Sequence, residues 1–290
     1  IASFTNVSTG LIEARPVANG VAVSGVGMAT GRSSITTFTN EGTIRASDGG
    51  DGIEVGGASD IGTITNAVGG VIESINQGAG IYVNGMITTL NNRGTMSGAV
   101  AGIQISDYGY YYTYYGRIDT LVNVGTIEGG VFDIDTPMDR GPTDDAPIGT
   151  LVNLQSGLTY RGMLPENYEI VIEDDSTYGS FVVSGAYGLM SFGISDDGDV
   201  QELVYPNVLD GVTEEQLTAL SGTVGSYGWS LLSTDDPTEW DLCVGSACPG
   251  GLLPKPVPVM GPWMVAFLSA LTGLMGLFGV SRRRSSSVAR

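Results

Sequence analysis

The side chains best suited to chemistry in this chain are carboxylates, tyrosines and two cysteines, because its 290 residues include no histidine. Without an imidazole there is no Ser-His-Asp or Cys-His nucleophile and no HExxH zinc site. No GxSxG, P-loop or GxGxxG stretch occurs either. Acidic pairs stand at Asp144-Asp145, Asp174-Asp175, Asp196-Asp197 and Asp235-Asp236, and paired carboxylates are the tools of glycoside hydrolysis. Neighbouring residues on a strand point to opposite faces, however, and these pairs fall in turns. The primary expectation is therefore a protein that is not an enzyme, with a carbohydrate-active glycosidase or lyase using carboxylates as the alternative.

Two further groups could bind rather than react. Tyr108, Tyr110, Tyr111, Tyr112, Tyr114 and Tyr115 lie within YGYYYTYYG; such rings offer flat contact area with a polar tip, suited to glycans or other surface proteins. The other reading is a loop whose rings pack down on the body of the protein. Cys243 and Cys248, in CVGSAC, are spaced for a disulfide across a short loop in an oxidising compartment, with free thiols as the alternative. No metal site is expected of them, since two cysteines fall short of a zinc set. No cofactor is expected, and calcium is the one ion the acids could take. GGDGIEV at 49–55 resembles a single calcium-binding nonapeptide of the RTX type, but such sites need tandem copies. Asp196, Asp197 and Asp199 share one loop and are a second calcium candidate.

The elements that hold these groups are repeats. TLVNVGTIEGG at 120–130 recurs as FTNVSTGLIEA, FTNEGTIRA, ITNAVGGVIES, LNNRGTMSG and LVNLQSGLTYRG, placing Asn6, Asn40, Asn66, Asn92, Asn123 and Asn153 at intervals of 34, 26, 26, 31 and 30 residues. Periods in this range indicate a solenoid. A second alternating stretch follows each phrase, as in GIEV at 52–55, GIYV at 80–83 and GIQI at 102–105. No single rung can bury its apolar face alone, whereas stacked rungs share a core. The pattern predicts an all-β, right-handed parallel β-helix over 1–162, with the six asparagines bonded in a ladder at turns, where asparagine tolerates left-handed backbone. These repeats resemble those of bacterial autotransporter passengers, which implies a surface protein. Residues 163–245 hold alternating stretches without the period and predict an antiparallel β cap. One helix is expected there, from the capping box Thr213/Gln216 to Gly222.

Charge and the carboxyl end concern location. Residues 1–254 carry all 31 acids and seven arginines, a formal charge of −24, while the rest holds only basic groups. That surface repels phosphate backbones, so no nucleic-acid partner is expected. A Pro/Gly linker over 246–261 leads to 19 uncharged residues, 262–280, and then to Arg282, Arg283 and Arg284 in a basic tail, 281–290. A helix of that length spans the hydrocarbon layer, and the arginines place its end on the cytoplasmic side. Val257, Pro258, Met260 and Trp263 resemble the sorting motif of the IPTL-CTERM class, relatives of PEP-CTERM proteins. Val259 stands where that motif has threonine, and Met264 where glycine is common. The resemblance implies an exported bacterial protein, transiently anchored in the inner membrane by this helix. An exosortase-type membrane protease then releases it to the cell surface or the extracellular space. A permanently anchored single-pass envelope protein is the alternative.

Overall fold

A computed structural model describes residues 1–14, 26–28, 34–47, 49–57, 59–107, 115–138, 140 and 145–249. The chain winds as a parallel β-solenoid of about six turns whose strands fall into three sheets. The first sheet stacks Ser3–Asn6, Ser34–Asn40, Asp60–Asn66, Met86–Asn92, Arg117–Asn123, Ile148–Asn153, Asn167–Ile170 and Ser191–Ile194. The second stacks Leu11–Ala14, Thr43–Ala46, Val71–Ser74, Thr95–Gly98 and Thr126–Gly129. The third begins with Val26–Met28, Ile53–Val55, Ile81–Val83, Ala101–Ile105, Phe132–Asp135, Leu158–Met163 and Phe181–Tyr187.

The register puts like residues on like. Phe38, Ile64, Leu90, Leu121 and Leu151 pair in sequence across the first sheet, Ile44, Ile72, Met96 and Ile127 across the second, and Ile53, Ile81, Ile103 and Ile134 across the third. All are buried. Each such side chain contributes roughly 1.5–3 kcal/mol by leaving water. A slip of one residue would turn every one of them outward.

Beside this apolar column runs the asparagine ladder. Asn6 Nδ2 donates to Asn40 Oδ1 at 2.8 Å, Asn40 to Asn66 at 2.8 Å, Asn66 to Asn92 at 3.0 Å, Asn92 to Asn123 at 2.9 Å and Asn123 to Asn153 at 3.1 Å. All six are buried, and every bond runs in the same direction. The remaining N–H capacity goes to turn carbonyls, as from Asn40 to Gly42 at 3.0 Å and to Val71 on the next coil at 3.1 Å. Buried amides must be satisfied, and here each rung satisfies the next. The ladder asparagines close strands, not left-handed turns: among the described residues Asn207 is the one non-glycine with positive φ. The glycines that follow are required by close approach instead. A Cβ on Gly94 would lie 2.2 Å from the Gly70 carbonyl oxygen, and one on Gly125 would lie 2.3 Å from that of Gly94.

Beyond Gly162 the solenoid continues, which corrects the expected boundary and the expected antiparallel order there. Ile148–Asn153, Asn167–Ile170 and Ser191–Ile194 pair parallel, as do Leu158–Met163 and Phe181–Tyr187. The period was lost because the second sheet stops at Thr126–Gly129, so later coils have two strands, and the asparagine phrase ends at Asn153. Apart from one isolated bridge, Ile172 to Tyr178, antiparallel pairing begins where Val204–Asp210 meets Trp240–Val244, which in turn pairs Tyr227–Ser233 and then Ser221–Val224. The expected helix is a single 3-10 turn, Glu214–Gln216, where Gln216 Oε1 accepts from the Thr213 backbone N–H at 2.9 Å.

The core chemistry changes with the cross-section. Tyr168 stacks on Phe181 at 4.4 Å between ring centroids, and Phe192 meets Trp229 edge-on at 5.4 Å. Asn153 ends the ladder by donating to the Tyr168 hydroxyl at 3.3 Å. Burial pushes that hydroxyl's pKa upward.

Candidate functional site

Two long insertions leave the solenoid at the same corner of consecutive coils, between a third-sheet strand and the next first-sheet strand: one after Ile105 and before Arg117, the next after Asp135 and before Ile148. Arg140 ties their roots together. Its guanidinium donates to both Asp107 oxygens, at 2.6 and 2.5 Å, to the Gly116 carbonyl at 2.6 Å and to the Asp145 carbonyl at 2.8 Å. These groups flank the tyrosine insertion and close the second one. The ion pair is enclosed, with the Arg140 side chain 2 % and the Asp107 side chain 12 % exposed. A planar guanidinium can satisfy four acceptors this way where an ammonium cannot. Arg140 also lies 5.5 Å over the Tyr115 ring.

A second charged group supports the same wall. Asp135 takes two bonds from Arg161, at 2.8 and 2.7 Å, while Arg161 covers the Phe132 ring at 4.8 Å. Asp133 bridges backbone, accepting from Gly129 N at 3.1 Å and Thr159 N at 2.8 Å. The Tyr187 hydroxyl donates to the Pro137 carbonyl at 2.7 Å and accepts from Arg140 N at 3.3 Å. These partners hold backbone in place, and they leave the carboxylates committed to structure.

Of the tyrosines singled out from the sequence, Tyr115 is half exposed beside Arg140; Tyr108, Tyr110, Tyr111, Tyr112 and Tyr114 lie outside the described residues. So do the sorting-motif residues Val257, Pro258, Met260 and Trp263, the arginines 282–284 and the apolar stretch 262–280. Among the described residues no helix is long and apolar enough to cross a membrane. Cys243 and Cys248 are joined in a disulfide with Cα atoms 5.0 Å apart, and Glu202 steadies the loop by accepting from Ser246 N at 2.7 Å.

The acidic candidates do not converge. Among the described residues no three metal-ligating side chains gather at one point. Asp174 accepts from Ser176 N at 2.8 Å and Thr177 N at 2.7 Å, and Asp236 from Thr238 N at 2.9 Å, so both fasten their own turns. Asp51, in the calcium-like stretch, accepts from Ala79 N on the following coil at 2.8 Å. Its pKa is pushed up to about 6, chiefly by burial, with Glu54 adding to the rise and the Ala79 N–H opposing it. Burial, together with Asp196 and Asp197, likewise raises that of Glu169.

Gln155 went unnoticed in the sequence. Its side-chain amide accepts from Ile127 N at 2.8 Å and donates to Ile127 O at 2.9 Å, and its oxygen also accepts from Asn123 at 3.2 Å. One side chain thus takes the place of a strand residue at the last edge of the second sheet, a position that would otherwise invite pairing with another chain. No family model matches the chain, nor does any curated protein or solved structure.

Proposed function

We propose that this chain is an exported structural or adhesive rod of the bacterial cell surface or extracellular matrix. The observation that carries the reading is the pair of insertions on adjacent coils, rooted on one buried arginine. A rigid scaffold that holds loops at one corner is the usual way a solenoid presents a contact surface. In this reading the tyrosines between Asp107 and Gly116 contact surface glycans or other surface proteins. The solenoid is right-handed, as parallel crossovers favour, and the antiparallel strands up to Trp240–Val244 cap its end.

Export draws on other support. The disulfide suits an oxidising compartment, and the resemblances to autotransporter passengers and to the IPTL-CTERM signal point the same way. The 262–280 helix then anchors the protein transiently in the inner membrane until an exosortase-type protease acts. Deleting 108–115 from the full chain should abolish binding to glycan panels and bacterial surfaces while leaving the melting temperature of the rod nearly unchanged. Undiminished binding would remove the contact role from the tyrosines. Mass spectrometry of surface material tests processing, since recovery of peptides spanning 263–290 would sink it.

A further inference from the structure

The outer face of the first sheet carries a pattern that the surface role does not use. Ser3, Thr37, Thr63, Thr89, Thr120 and Thr150 are paired position by position along the rod. Two residues along each strand, Thr5, Thr39 and Thr65 form a second column, continued by Asn91, Val122 and Val152. Both columns face outward, since the position between them belongs to the buried series Phe38, Ile64 and Leu90. The mesh is set by backbone geometry, about 4.8 Å from strand to strand and about 6.6 Å from column to column.

Sheet propensity favours threonine anywhere on an exposed strand, and the second sheet too has an uncharged outward column, Leu11, Thr43, Val71, Thr95 and Thr126. Beside it, however, runs a charged one, Glu13, Arg45, Glu73, Ser97 and Glu128, and the third sheet's column includes Glu54, Tyr82, Gln104, Asp135 and Arg161. In a protein of net charge −19, neither column carries a charge through six coils; the charges of this sheet's strands, Asp60, Arg117 and Asp119, stand on the amino-terminal side of the first column. Among the described residues none of these threonine and serine hydroxyls bonds to another protein group, so each is left to water. Threonine is stiff at χ1, which lets one rotamer repeat from coil to coil and present a hydroxyl beside a methyl from Thr37 to Thr150 in the first column and at Thr5, Thr39 and Thr65 in the second. Flat, regular sheets are typically held by side-chain ladders, and the asparagine ladder runs one residue from the second column, beginning with Asn6 beside Thr5 and Asn40 beside Thr39.

We propose that this face binds ice. Its hydroxyls donate and accept at a fixed repeat close to that of oxygen atoms in the ice lattice, while the methyls exclude water that would hydrate the surface in another geometry. A charged column would impose its own hydration shell, and stacking on sugar rings would need aromatic platforms, which these columns lack. The proposal concerns a different face from the insertions and stands apart from the surface role.

The test uses the full chain in slowly grown ice, read as the fraction of protein incorporated and as thermal hysteresis of the melt. The wild-type chain is expected to enter ice and to separate freezing from melting. Thr63→Tyr and Thr89→Tyr, each breaking the mesh, are expected to lose incorporation by about tenfold, equivalent to about 1.4 kcal/mol of binding. Ser97→Tyr, on the second sheet, is expected to retain it. Circular dichroism and melting temperature identify variants that keep the fold. Exclusion of the wild-type chain from ice overturns the proposal, as does an equal loss in Ser97→Tyr. Retention on crystalline cellulose without entry into ice also overturns it and assigns the face to polysaccharide.

Discussion

Asparagine is an awkward residue to bury, and six buried copies are tolerable only because each amide is the partner of the next. Replacing Asn92 by alanine leaves the buried Asn123 Oδ1 without its donor, while Asn66 Nδ2 loses one acceptor and keeps the Gly70 and Thr95 carbonyls. One buried acceptor left unsatisfied costs about 1–3 kcal/mol, and a second ladder bond is lost besides, so a clear fall in the denaturation midpoint is expected. Asn6→Ala, at the end of the row, breaks one ladder bond and should cost about 1 kcal/mol. Asp51 gives a pH-dependent counterpart. In the unfolded chain it ionises near 3.8, whereas burial holds the folded value at about 6. Between those values the folded protein keeps a proton that the unfolded chain has lost, so this group's contribution to stability declines as pH rises through about 4 to 6. Asp51→Asn keeps an acceptor for Ala79 N and should remove that decline, raising the melting temperature at pH 7 by an amount worth at most about 3 kcal/mol. Melting curves across that pH range check the sign.

At the scale of elements, the coils between Asn40 and Asn92 are the plainest, at 26 residues each, and later coils lengthen at one corner only. Arg140 decides what those insertions do. With methionine in its place, the Asp107 carboxylate remains enclosed without its cation, a change that costs about 3–5 kcal/mol when a buried pair is broken. The damage should be local: limited proteolysis is expected to cut between 107 and 145 in Arg140→Met before any cut elsewhere, whereas the wild-type roots resist. The ladder was legible in the sequence because asparagine recurs in a fixed phrase. Arg140 and Gln155 were not, because each acts once. Their partners, Asp107 and Ile127, lie 33 and 28 residues away and are brought near only by the winding of the coils. The tyrosines drew the eye as a run, yet the residue that organises their roots is in the next insertion.

On the scale of the whole molecule, the three-sheet part was readable and the two-sheet part was not. A period announces a coil only while every coil keeps the same strands. After Asn153 the second-sheet strand is missing, the aliphatic core gives way to Tyr168, Phe181 and Phe192, and the alternating stretches look like any antiparallel run. Strand positions were visible there, but partners and direction depend on stacking that local alternation does not encode. The equal coils have a further consequence. Because Asn40, Asn66 and Asn92 offer identical donors and acceptors above and below, residues 67–92 form a cassette that could be excised or copied without changing the junction on either side. Copy number is thus free to drift, and the rod can be lengthened or shortened in whole steps without redesigning the protein at its ends.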